Sequence, residues 1–94
     1  MTPSPSEIIG QVACVTGVTA AAITGKRRTK AVVFSRFLAI AAIRQTWPQF
    51  SLSELAAAVG RDSHGTATNA LAQFEVLKRD DPTFRRLAIQ LNLL

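Results

Sequence analysis

The side chains best suited to chemistry in this sequence are basic, and they are concentrated in one segment. Residues 26–44 contain more than half of the eleven lysines and arginines and no aspartate or glutamate. The basic residues of this segment are Lys26, Arg27, Arg28, Lys30, Arg36 and Arg44. Residues 1–25, by contrast, carry one charged side chain, Glu7. Because lysine and arginine neutralise phosphates and release condensed counterions, the segment predicts a surface for a polyanion.

A second group of polar side chains opens a predicted helix. The sequence favours a short helix over Leu52–Val59, a glycine-containing turn over Gly60–Ser63 and a second helix over His64–Arg79, which together form a helix-turn-helix pattern. Such a motif places the first residues of its second helix against base edges in the DNA major groove. The outer face of this helix is expected to be small and polar, with His64, Gly65, Thr66, Thr68, Asn69 and Ala72. No acid precedes Glu75 on this helix, so the face can approach phosphates.

Residues for catalysis or metal binding are sparse. His64 is the single histidine, and neither Cys14 nor any serine stands in a triad pattern with it. The adjacent carboxylates Asp80 and Asp81 precede Pro82 and are interpreted as helix caps. A single cysteine excludes an intrachain disulfide and a cysteine metal cluster, and its apolar neighbours predict a buried thiol. We therefore expect no enzymatic activity, no metal and no cofactor.

Capping signals mark where the helices begin. Ser4-Pro5-Ser6-Glu7 and Ser51-Leu52-Ser53-Glu54 both match the capping box, in which serine and glutamate satisfy free backbone N–H groups. Thr19 is expected to start a short helix over Ala20–Ile23, and Asp81-Pro82 to start the last helix. Together with an alanine-rich composition, these signals predict an all-α fold, a small domain of about five to six helices.

A long helix is predicted in the middle of the chain, from about residue 31 to residue 47, and Pro48 ends it. Apolar residues surround most of its circumference, which predicts a central, largely buried helix. The basic segment from Gly25 to Lys30 is predicted as a loop, because closely spaced cations repel one another. The helix after the turn and the helix that begins at Pro82 each show one apolar stripe. The stripes are Ala67, Ala70, Leu71, Phe74 and Leu77 in the first, and Phe84, Leu87, Ala88 and Leu91 in the second.

Length and composition bound the class of protein. Ninety-four residues suit one domain, and we expect residues 1–94 to form a single helix-turn-helix domain with residues 1–4 as a flexible start. The N-terminus lacks a basic region followed by an apolar run, and no apolar stretch reaches the roughly 20 residues of a membrane span. We expect a cytoplasmic, nucleoid-associated protein that binds no membrane and no small-molecule substrate.

From Ala21 onward the sequence resembles the C-terminal DNA-binding domain (domain IV) of the bacterial chromosomal replication initiator DnaA. The basic loop Lys26-Arg27-Arg28 precedes the long helix as it does in that family. Ser51-Leu52-Ser53-Glu54-Leu55 resembles the family's Ser-Leu-x-Glu-Ile, and Gly60-Arg61-Asp62-Ser63-His64-Gly65-Thr66 resembles its signature Gly-Gly-Arg-Asp-His-Thr-Thr. The resemblance implies the Trp-repressor-like helix-turn-helix fold of that domain and binding to double-stranded DNA.

The resemblance also implies roles for the residues that match its motifs, and the charge and polarity of their neighbours extend these roles. Arg28 corresponds to the arginine that reads the minor groove. Contacts to the DNA backbone are expected from Lys26, Arg27, Lys30, Arg36, Arg44 and Ser63. Contacts to bases are expected from His64, Thr66, Thr68 and Asn69, whose side chains can bond or pack on base edges.

The sequence departs from the family pattern at several positions. Aligned without a gap, Gly65 stands where the family has a threonine and Ser63 stands at its acidic position; alternatively Asp62 keeps the acidic role and one residue is inserted. Phe37 replaces a residue that is usually polar. The Gly-x-x-x-x-Gly-Lys-Ser/Thr loop of the family's ATP-binding module does not occur. We therefore expect no ATPase, and we expect that the chain is not a complete initiator.

Two functions stay open at this point. The leading one is sequence-preferring binding of double-stranded DNA through the helix-turn-helix and the basic loop, similar to DnaA-box binding. The alternative is a protein-interaction module on the same scaffold, whose base readout is lost or altered by Gly65 and Phe37. It predicts an exposed apolar surface, for example around Val76 or Trp47, although Trp47 also suits a core or cap position. The charge run and the polar helix face each have a simpler interpretation as solvated surface, but their combination favours DNA.

Overall fold

The computed structural model describes residues 2–94 and contains six helices over that range, with no strand among these residues. The helices are α1 (Pro5–Thr16), α2 (Ala20–Ile23), α3 (Lys30–Thr46), α4 (Leu52–Ala58), α5 (His64–Asp80) and α6 (Pro82–Gln90). The predicted all-α class is confirmed, and each predicted helix is present. Met1, part of the expected flexible start at residues 1–4, lies outside the described residues.

The predicted caps account for the helix starts. Ser4 and Glu7 form a capping box at α1, and Ser51 and Glu54 form another at α4, where the Ser51 N–H donates to Glu54 Oε1 at 2.9 Å. The Asp81 carboxylate accepts from the Phe84 N–H at 3.0 Å, which confirms that it caps α6. Each cap satisfies backbone N–H groups that the first turn of a helix leaves free.

The core is built around α3, as its apolar circumference predicts. Helix α3 packs against α1, α2, α4 and α5. Among its fully buried side chains are Leu38, Ile40 and Ile43. Phe84 of α6 closes one end of the core and meets the rings of Phe34 and Phe74 edge-on, a favourable arrangement for aromatic pairs. One continuous apolar core therefore holds the two helices of the motif against α3.

The structure decides the positions of Cys14 and Trp47, and the first differs from its prediction. Cys14 is exposed, so the predicted buried thiol is wrong. The inner face of α1 is formed by Ile8, Ile9 and Val12, and a residue two positions beyond Val12 points to the opposite side of a helix. Trp47 is half-buried at the end of α3, where its Nε1–H donates to the carbonyl of Pro3 at 2.8 Å. It therefore has the cap role and attaches the chain start to α3.

The turn of the motif packs directly against the end of α2. Gly60 has φ 76°, in the left-handed region, and a Cβ at this position would overlap the carbonyl oxygen of Thr24. Only glycine allows the two backbones to approach this closely. The contact joins the turn between α4 and α5 to the chain that leads into the basic loop.

No helix over residues 2–94 combines the length and the apolar character needed to cross a membrane.

Gly60→Ala is expected to destabilise the domain by about 2 kcal/mol or more, because the new methyl group adds a steric clash to the cost of a left-handed backbone. Gly17→Ala is the matched control, since Gly17 has φ 77° but open space around its Cβ position; about 1 kcal/mol is expected there. Urea unfolding followed by circular dichroism measures both, and equal losses would contradict the proposed close contact.

Candidate nucleic-acid interface

The helix-turn-helix consists of α4, the turn over residues 59–63 and α5. Leu55 and Ala56 of α4 face Ala67 and Ala70 of α5 across the motif, and all four are fully buried or nearly so. Alanine at three of these four positions lets the two helices approach closely. The packed side of α5 is therefore committed to the protein, which leaves its opposite side for a partner.

The opposite side of α5 is exposed, and most of its side chains are small, as the sequence predicts. The exposed residues of the first turns of α5 are His64, Gly65, Thr68, Asn69 and Ala72. Thr66 is half-buried at the edge of this face. A Cβ built on Gly65 would touch only Ser63 Oγ, at 3.4 Å. The start of α5 is thus open, with no residue of the described chain standing over it.

Ser63 begins α5. Its Oγ accepts from the Gly65 N–H at 3.3 Å, while Thr68 Oγ1 donates to the carbonyl of His64 at 3.3 Å. Both side chains are exposed, so each forms a hydrogen bond within this end of the helix and remains accessible to a partner. The positive end of the α5 dipole lies here, where it favours a phosphate.

A cavity of about 290 Å³ connects this helix face with the basic loop. Side chains from the loop, α3, the turn and α5 line it, and the polar ones are Arg28, Arg36, Arg61, Thr66 and Asn69. The cavity places the loop arginine and the two α5 residues on one side of the molecule, and no carboxylate is among its lining residues. The sequence-predicted loop and helix therefore converge.

Arg36 belongs to the wall of this cavity, and most of its side chain is covered. Its side chain is only 6% exposed, and Nε donates to the carbonyl of Ile23 at 2.8 Å. Nη2 donates to the carbonyls of Ala22, Gly25 and Arg27 at 3.0–3.3 Å. Nε and Nη2 are thus engaged by the backbone of α2 and of the loop. Arg36 also lines the same cavity as Arg28 and Asn69, and its expected contact with the DNA backbone stays a prediction.

Burial and like charges act together on this guanidinium. Desolvation first, and then the neighbouring cations Arg61 and Arg28, lower the pKa of Arg36. An arginine nevertheless stays protonated at neutral pH, so its charge must be compensated by the surrounding dipoles. The carbonyl oxygens of α2 and of the loop provide this compensation, since no ion pair involving residues 26–44 is formed within the described part of the chain.

Arg61 is a site residue that sequence reasoning missed. The sequence places it in the turn and in the Gly60–Thr66 signature without a role of its own, yet it lines the cavity, and its Nη2 donates to the carbonyl of Gly25 at 2.9 Å. Nothing in the local sequence indicates a partner 36 residues away. The available signal for its role was a basic residue just before the second helix of the motif.

The remaining predicted cations divide between two surfaces. Lys26 and Arg27 are exposed in the loop beside Arg28. Arg44 is exposed on α3 and continues, at helical spacing, the line of Val33, Phe37 and Ile40 that faces the cavity. Lys30 does not join this group. It begins α3, its Nζ lies 5.3 Å from the centre of the Phe34 ring, and it lines a separate groove with Asp81.

Comparison with known proteins identifies a family for this chain. A family model described as the bacterial DnaA protein helix-turn-helix matches residues 5–73, from the start of α1 into α5 and including the basic loop and the whole motif. No curated protein matches the chain.

Arg36→Ala is expected to lower the free energy of unfolding by about 2 kcal/mol, because several inward-facing carbonyls lose their shared donor. Arg44→Ala removes the same charge from an exposed position on the same helix, and a change of no more than about 0.5 kcal/mol is expected there. Thermal and urea unfolding measure the two variants. A similar small effect for both would show that Arg36 does not support the loop.

Proposed function

Because this chain belongs to the bacterial DnaA helix-turn-helix family, we propose that it binds double-stranded DNA with a preference for particular base sequences. DNA binding itself follows from the family, whose helix-turn-helix is a DNA-binding and not a catalytic domain. The sequence preference, the residues that provide it and the absence of ATPase activity are the proposal. Through its binding to DNA, the protein would be associated with the nucleoid.

The observation that carries the proposal is the convergence of Arg28, Thr66 and Asn69 around one cavity beside the open start of α5. A DNA duplex alternates major and minor grooves, so a helix and an adjacent basic loop on one side can occupy neighbouring grooves. In this arrangement α5 enters the major groove and Arg28 reaches the minor groove, where the negative potential of a narrow groove attracts arginine.

The other residues are assigned by position. Lys26, Arg27, Arg44 and Ser63 contact the DNA backbone, and Lys30 adds to the positive field from beside this surface. Arg36 supports the loop from within. Base contacts come from His64, Thr66, Thr68 and Asn69. Asparagine pairs well with adenine in the major groove, and a threonine methyl packs on a thymine methyl.

Gly65 shapes the expected specificity. It removes one side chain from the recognition face, and the space above it is open. We therefore propose weaker readout of one base and closer approach of α5 to the duplex. Binding energy then comes mostly from phosphates, which position a protein without reading sequence.

The protein-interaction alternative is supported by exposed apolar side chains, and the large ones among the described residues are Val76, Ile89 and Leu94. Val76 on α5 is 40% exposed, whereas Trp47 is engaged with Pro3 and Phe50 and offers little free surface. Single exposed apolar residues are common on soluble proteins, so Val76 alone favours the alternative only weakly. A partner bound through it would persist at high salt, unlike a nucleic acid.

Arg28→Ala is expected to weaken binding to a labelled mixed-sequence duplex by about tenfold at low salt, since a groove contact and a charge are lost together. Arg86→Ala is the control, because it removes one charge from an exposed residue of α6 that does not line the cavity. Fluorescence anisotropy over a range of salt concentrations gives both affinities, and the wild-type affinity is expected to fall steeply with salt. Absence of wild-type binding at low salt contradicts the function, and equal effects of the two variants contradict the surface.

Asn69→Ala is expected to change which sequences are selected from a random duplex pool more than it changes affinity, because a base contact is lost while phosphate contacts stay. Gly65→Thr should narrow the selected motif at one position, since the open site accepts the side chain and threonine can read a base. Selection followed by sequencing measures both changes. An unchanged motif in the Asn69 variant would remove Asn69 from the readout.

A further inference from the structure

We infer that Arg61 is a positioning residue, which holds the basic loop against the helix-turn-helix so that Arg28 and α5 meet DNA as one preformed surface. The inference rests on the proposed function, because it concerns how the same surface is prepared. It assigns Arg61 a contact with the loop and no contact with DNA.

Arginine hydrogen bonds and a close backbone approach join the loop and the residue before it to the rest of the interface. Arg61 Nη2 donates to the carbonyl of Gly25 at 2.9 Å from the side of the turn. From α3, Arg36 Nη2 donates to the same carbonyl at 3.0 Å. Next to them, Gly60 lies against the Thr24 carbonyl. The carbonyl of Gly25 is therefore shared by two guanidinium groups from separate elements.

The loop needs such support for electrostatic reasons. Lys26, Arg27 and Arg28 follow one another, all three are exposed, and none pairs with a carboxylate within the described chain. Their mutual repulsion favours an expanded, mobile loop. Arg61 adds a further positive charge, yet it binds a carbonyl oxygen, so its contact works on the backbone of the loop and leaves the loop cations free.

Support of this kind strengthens binding without a new contact to DNA. A loop that is ordered before binding loses less conformational entropy when it meets its partner. The turn that carries Arg61 leads directly into Ser63 and α5. The same residue thus links the position of the minor-groove arginine to that of the recognition helix.

A double-mutant cycle separates positioning from direct contact. Arg61→Ala is expected to weaken binding to the mixed-sequence duplex about tenfold in the wild-type background, but no more than about twofold in an Arg28→Ala background. In an Arg44→Ala background the full effect should persist, because Arg44 is held by α3 and not by the loop. Circular dichroism checks that each variant is folded, and Arg61→Gln replaces Arg61→Ala should the latter unfold.

A second measurement needs no DNA. Backbone order parameters from nuclear magnetic resonance relaxation should fall for residues 26–28 in the Arg61 variant, toward the range of flexible chain below about 0.6. The order parameters of α5 should stay unchanged. Loss of order in the loop alone is what a positioning role requires.

The outcomes are distinct. Wild-type protein that binds no duplex at low salt contradicts the proposed function, whatever the loop does. If the wild type binds and the Arg61 effect adds fully to that of Arg28, Arg61 contacts a phosphate directly and the inference is wrong. Unchanged order parameters in the loop, or no loss of affinity, also overturn it.

Discussion

The hydrogen bonds from the Arg36 guanidinium to backbone carbonyls are the interaction that holds the basic loop beside α5 on the proposed DNA-binding side of this domain. Arg36 lies on the central helix among apolar neighbours and donates to carbonyls that belong to α2 and to the basic loop. A buried charge is tolerated only when its donors are satisfied. Those carbonyls are in reach only if the loop follows one path, so the stability of the core and the position of the loop depend on each other.

The interface is consequently composite. α5 supplies a small, uncharged face, the loop supplies cations, and neither is attached to the other by sequence proximity. α3 and the turn join them through Arg36, Arg61 and the close approach of Gly60 to Thr24. A protein that meets DNA through two separate elements benefits from this rigidity, because preformed surfaces bind with a smaller entropic cost.

The two glycines of the motif serve opposite purposes. Gly60 is needed by the fold, because its backbone is left-handed and its neighbour leaves no room for a methyl group. Gly65 has no such need, since it is helical and open to solvent. In the proposed mode of DNA binding, the missing side chain lowers the sequence information that α5 can read and leaves phosphate attraction intact.

The amino-acid sequence by itself determined the helices and the existence of the motif, because caps, prolines and apolar spacing act over a few residues. It could not determine which way several side chains point. Apolar residues surround α3, so periodicity did not reveal that Arg36 faces inward. The contact of Arg61 with the loop was equally hidden. Tertiary packing decided the directions of these two side chains, since the carbonyls that they bind belong to α2 and to the basic loop.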